Sequence, residues 1–159
     1  MLNLSGRVVM KYSSRWPAFV LCLFSLYVPS LAFATIVSAT LPSSRSVQVG
    51  QTATAFGTII NAGAETATNC GLALGTTVDA SFSYQTTDPA TNALTGTVDT
   101  PASIAAGESQ SYIFSVTPNA SFTSTDVTIT FDCDNPDPAP LTTGLNTLLL
   151  SASDSPVPD

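Results

Sequence analysis

The chain has 159 residues, 44% hydrophobic and only 9% charged, with 11 acidic side chains, 4 basic ones and no histidine. Arg7, Lys11 and Arg15 all lie near the amino terminus, so Arg45 is the one cation in the stretch that carries every carboxylate. No Lys or Arg cluster exists to release counterions from a phosphate backbone or to hold anionic headgroups, which excludes nucleic acid and electrostatic membrane binding.

Residues 1–34 read as a secretory signal peptide, with a basic start, an apolar run over 17–31 and the small-residue site Ala32-Phe33-Ala34. Ser25, Pro29 and Ser30 interrupt the run, and no basic flank follows it, which argues against a transmembrane anchor. Leu21 is too bulky for a lipidation site at Cys22. Cleavage after Ala34 leaves about 125 residues, enough for one domain and short for two. It also removes every Lys, Met and Trp. Without imidazole or amine, the mature chain has no Ser-His or Cys-His nucleophile pair, no histidine metal site and no Schiff base. The expectation is a chain without catalytic residues, resident metal or cofactor.

From Thr35 onward the chain is rich in Thr, Ser, Ala and Val, with turn residues about every eight to twelve positions, the spacing of a sandwich or barrel. In order, strands are predicted over 36–41, 46–49, 52–61, 68–74, 80–86, 109–117, 126–133 and 145–152. The segment 52–61 is two-sided: Ala53, Ala55, Gly57 and Ile59 share one face, while Phe56 and Ile60 share the other, so either a bulge or burial of both faces is expected. In 109–117, Tyr112, Phe114 and Val116 share a face, and Ile113 sits among the serines opposite. The clearest alternation is 126–133, with Val127, Ile129, Phe131 and Cys133 inward. Residues 61–64, 105–108 and 135–140 are turns by composition, Gly supplying positive φ and Pro blocking ladder hydrogen bonds. The tail, 153–159, has the polar, proline-bearing character of a linker and points to a shortened chain.

Three segments in order carry a family resemblance: Ser46-Val47-Gln48-Val49-Gly50-Gln51-Thr52, then Thr58-Ile59-Ile60-Asn61-Ala62-Gly63, then Ile104-Ala105-Ala106-Gly107-Glu108-Ser109. Over residues 45–133 the chain resembles the CARDB-like and related bacterial immunoglobulin-like surface modules. The resemblance implies a spacer or adhesion module and transfers no catalytic residue. Together with the strand pattern it gives an all-β fold, an immunoglobulin-like antiparallel sandwich of seven to eight strands spanning 35–152.

Cys70 and Cys133 each fall in register with apolar neighbours, and an even cysteine count in an exported domain favours a disulfide over separate thiols or a metal site. Placed on the third and sixth main strands, the pair is expected to bridge neighbours within one sheet. Asp132, Asp134, Asn135 and Asp137 cluster oxygen ligands as hard cations require, but the run lacks the Gly and Glu of an EF-hand, so it is a candidate cation site beside the plainer reading of a solvated turn. Gly107-Glu108-Ser109 is not a nucleophile elbow, since the closing Gly and the histidine are missing. Tyr84 and Tyr112 alternate with core positions and read as core. The functional expectation is a non-enzymatic structural or adhesive module, secreted, periplasmic or at the cell surface. Its partners would be other exported proteins, with no membrane insertion of the mature chain. The alternative is a calcium- or carbohydrate-binding module.

Overall fold

The computed structural model describes residues 33–157, so the predicted signal, apart from Phe33 and Ala34, lies outside the described residues. Nine strands follow in order: β1 Ile36–Leu41, β2 Ser44–Gln48, β3 Ala53–Asn61, β4 Ala67–Leu74, β5 Ala80–Thr87, β6 Ala102–Ile104, β7 Ser109–Pro118, β8 Phe122–Asp132 and β9 Thr147–Ser153. They form two sheets, ordered β1-β3-β7-β5 and β2-β9-β8-β4-β6. Hydrogen-bonded neighbours thus include strands far apart in sequence, as in the two sheets of an immunoglobulin-like sandwich. Among the described residues there is no helix long and apolar enough to cross a membrane.

Eight of the nine strands coincide with predicted ones to within a few residues at their ends. The ninth, β6, is three residues long and pairs with β4 across a register shift. Pairing is antiparallel except between β2 and β9, which run parallel from Ser44↔Leu149 to Gln48↔Ser153. That pair departs from the all-antiparallel expectation because β1 and β2, though consecutive, belong to different sheets.

The core lies between the sheets, where Tyr112, Phe114, Phe131, Ile129, Leu148 and Leu150 are fully buried. Sheet-to-sheet approach leaves no room for a side chain at Gly57, whose Cβ would lie 2.7 Å from Cε1 of Phe131 and 3.2 Å from Leu72. Gly63 is needed for the same kind of reason, since its Cβ would meet the Phe33–Thr35 backbone; unlike Gly107, it is not at positive φ. Buried Asn61 fixes the adjoining turn, its Nδ2 donating to the carbonyls of Glu65 (2.7 Å) and Ile104 (3.0 Å) and its Oδ1 accepting from the Gly63 N–H.

The two-sided segment resolves into neither expected alternative. β3 runs without a register break against both β1 and β7, and Phe56 and Ile60 stay on its outer face, 37% and 44% exposed.

Candidate functional site

Alternation places one residue in two of each strand on the outer face of the β1-β3-β7-β5 sheet. Strand register assembles these residues into cross-strand rows: Ser83, Ser115 and Thr54; then Gln85, Ile113, Phe56 and Leu41; then Thr87, Ser111, Thr58 and Ala39. Hydroxyls within rows pair, Ser83 with Ser115 and Thr87 with Ser111, each at 2.8 Å. None of these side chains is charged, in a domain with one cation and eleven carboxylates after Ala34.

The segment between β5 and β6 walls this face on its β5 side. Asp88 organises its start, Oδ1 accepting from the Ala90 and Thr91 N–H groups and from Thr91 Oγ1. These bonds, the Thr91 hydroxyl first, hold the Asp88 carboxyl below its ordinary pKa. Thr95 and Asp99 then donate backbone N–H groups to Thr86 and Tyr84, covering the β5 edge, and Gln85 Nε2 donates to the carbonyls of Thr95 and Gly96. Leu94 and Val98 consequently project as a wall, 61% and 57% exposed. Between this wall and Ile113 lies a groove of about 210 Å³ with Ser83, Ser115 and Thr54 in its lining and no carboxylate.

Part of this site is legible in the sequence. Phe56 and Ile60 are out of phase with the core face of their strand, and Ile113 lies among serines, so apolar side chains fall on the wet face of neighbouring strands. Leu94 and Val98 sit in a non-strand segment with no periodicity, so nothing local announced them.

The predicted disulfide is present. Cys70 and Cys133 are bonded with Cα atoms 4.0 Å apart, one step beyond the paired Gly71↔Asp132, so the bridge is cross-strand within one sheet as expected. Tyr112 donates its hydroxyl to the Cys70 carbonyl at 3.0 Å and packs edge-on against Tyr84. Burial, and then the neighbouring Tyr84, raise the Tyr112 pKa.

The four candidate cation ligands are not brought together. Asn135 turns its carboxamide to the backbone, Oδ1 accepting from the Thr68 N–H (2.9 Å) and Nδ2 donating to the Thr66 carbonyl (2.8 Å), so it staples the chain rather than facing a ligand. Asp137 lines a separate cavity beside Ile36 and Pro140. Asp132 and Asp134 do share one cleft, with Asn69 and Tyr84. Among the described residues no three carboxylates or thiols group closely enough to hold a metal ion.

No family model matches the chain, and no curated protein does. A solved structure described as a family 123 glycoside hydrolase from Clostridium perfringens, in a study of glycolipid glycan hydrolysis, is similar at 8% identity and a TM-score of 0.48. The similarity covers 78% of this chain and 28% of that one. The expectation of a non-enzymatic structural or adhesive module finds no support in this comparison and is corrected and set aside. The likeness itself is too low to argue activity from.

Proposed function

We propose that this is an exported domain that binds an uncharged carbohydrate chain on the outer face of the β1-β3-β7-β5 sheet. The observation that carries the reading is the charge-free groove between Leu94, Val98 and Ile113, lined with serine and threonine, in an otherwise strongly acidic domain. A pyranose presents apolar C–H faces and a rim of hydroxyls. Phe56, Ile113, Leu94 and Val98 suit the former, and Ser83, Ser115 and Thr54 suit the latter, each able to donate and accept. No Lys or Arg lies in the lining; the nearest cation, Arg45, gives its Nε–H to the Thr54 carbonyl at the groove's edge. Hydrolysis calls for two carboxyl groups flanking the scissile bond. The groove lining supplies none, so binding without cleavage is the reading.

Export is supported by the signal-like first 34 residues and by the disulfide, which persists in oxidising compartments. A secreted, periplasmic or surface location follows from the same features.

Affinity electrophoresis through gels carrying neutral or anionic polysaccharides tests the proposal. Retardation is expected by at least one neutral polymer, and is expected to be lost in Phe56→Ser and in Leu94→Asp, both at exposed positions where the fold tolerates change. Retardation by anionic polymers alone, or an effect indifferent to both substitutions, would refute it.

A further inference from the structure

The cleft beside the disulfide was not absorbed by the carbohydrate reading, and its chemistry is of the opposite kind. It has a volume of about 240 Å³ and lies along β4 and β8, lined by Asn69, Gly71, Asp132, Asp134 and Tyr84. Tyr84 is only 9% exposed. Its hydroxyl is aimed across the cleft at Gly71, where an added Cβ would lie 2.5 Å from Oη. Tyr112, its edge-on neighbour, spends its hydroxyl on the Cys70 carbonyl. The Tyr84 hydroxyl has no hydrogen-bond partner among the described residues, whereas its backbone N–H donates to Asp99 Oδ1 and its carbonyl accepts from the Asp99 N–H. The Tyr84 ring is buried, while its hydroxyl opens into the cleft without a protein partner and is free to meet a ligand there.

The remaining polar atoms define which ligand. Asp132 uses one carboxylate oxygen to accept the Cys133 N–H and keeps the other free. Asp134 accepts the Asn69 carboxamide N–H on one oxygen and keeps the other free. Asn69 gives one Nδ2 hydrogen to that bond and keeps its carbonyl oxygen and a second N–H. The Asn69 backbone sits at φ 51°, in the left-handed region that asparagine tolerates, which breaks the strand alternation at this point. The free acceptors are therefore two carboxylate oxygens, one amide oxygen and one phenol oxygen, beside which only the phenol O–H and one amide N–H can donate. The complement of a site so rich in acceptors and negative charge is a compact cation with several donors. A divalent metal would want six or more oxygens and a fuller carboxylate set than two.

We propose that this cleft binds the terminal primary ammonium of an alkyl chain, held by Asp132, Asp134, Asn69 and the Tyr84 hydroxyl. The ammonium carries three N–H donors and no lone pair, and the stem that follows it can lie against Leu72 and Ala73 at the cleft wall. The phenol stays protonated because burial, and then the Asp99 charge, raise its pKa, so it adds an oxygen acceptor without adding charge. Tyr84 also lines the groove beside Leu94 and Val98, so the two sites share that residue, whereas Asn69, Asp132 and Asp134 belong to the cleft alone.

The test uses the whole disulfide-bonded domain, labelled for amide NMR, titrated at physiological ionic strength with n-butylamine, and in parallel with n-butanol and calcium chloride. An acetylated, amidated lysine presents the same group from a peptide source, and comparing it with n-butylamine tells a free amine from a lysine side chain. Saturable amide shifts confined to Asn69, Gly71, Asp132 and Asp134 are expected with the ammonium probes and not with n-butanol or calcium. Tyr84→Phe, which removes only the hydroxyl, is expected to weaken binding by about tenfold. Asn69→Gly keeps the backbone conformation while removing the amide oxygen, and should weaken binding even if Tyr84→Phe disturbs packing. Shifts that never saturate and spread over every acidic residue would overturn the proposal. So would unchanged affinity in both variants, or saturable binding of calcium at the same amides.

Discussion

Reducing the Cys70–Cys133 bridge should lower the stability of this domain more than any single surface substitution. The two cysteines are separated by 63 positions, and in the loop-entropy model a cross-link over that length removes freedom from the unfolded chain worth about 4 kcal/mol at room temperature. The fold adds a reason to expect the full effect. The ladder between β4 and β8 runs only from Gly71↔Asp132 to Leu74↔Ile129, and the disulfide closes its end, beside the Tyr112 hydroxyl bond to Cys70. Against a total of about 5–15 kcal/mol for a domain of this kind, the loss is a large share. It corresponds to a fall in melting temperature of roughly 10–20 °C for a chain of this length. Calorimetry of oxidised and fully reduced protein measures it, with thiol counting to establish the redox state. Cys70→Ser, Cys133→Ser and the double replacement should all melt close to the reduced protein, since each abolishes the same cross-link. A fall of less than a few degrees on complete reduction would show that the unfolded chain gains little freedom, and the reasoning would fail.

Gly57→Ala should destabilise by about 1–3 kcal/mol, because its Cβ would lie 2.7 Å from the Phe131 ring in a fully buried position; a denaturant midpoint equal to wild type would contradict this. In the fold, Tyr112 and Tyr84 keep their protons to higher pH than in the unfolded chain. Their contribution is therefore fully present below the ordinary phenol value of about 10 and is lost as pH rises beyond it, so melting temperature should drop in alkali and drop less steeply in Tyr112→Phe. At neutral pH the same Tyr112→Phe variant should cost about 1 kcal/mol, for the hydrogen bond withdrawn from the Cys70 carbonyl, as read by chemical denaturation.

The strands were legible where one face is buried and the other wet, as in β8, whose Val127, Ile129 and Phe131 carry the alternation. The first part of β8 was not, because the register against β9 shifts between Phe122 and Thr125 and the period is broken there. β6 was too short to carry a period at all. The disulfide could be read because each cysteine inherited the phase of its strand, and it was placed correctly within one sheet because Cys70 falls after the strand ending at Asn61. Sheet pairing stayed hidden: nothing local says that Ser44 runs parallel beside Leu149. The acidic turn was read as a unit because its members are adjacent in sequence. The fold divides them, sending the Asn135 side chain to Thr66 and Thr68 and bringing Asn69 and Tyr84 to Asp132 and Asp134 from other strands. Phe56 and Ile60 showed in sequence as an inconsistency, and in the structure that inconsistency is the exposed face itself.

Amide NMR during titration with neutral oligosaccharides tests the proposal that an uncharged glycan occupies the groove beside Leu94 and Val98. Saturable shifts are expected at Ser83, Gln85, Ile113 and Ser115, unchanged in high salt because no ion pair is formed and salt screens only charges. If no neutral oligosaccharide produces saturable shifts at these four residues, or if the response is confined to anionic sugars and fades with salt, the account is contradicted.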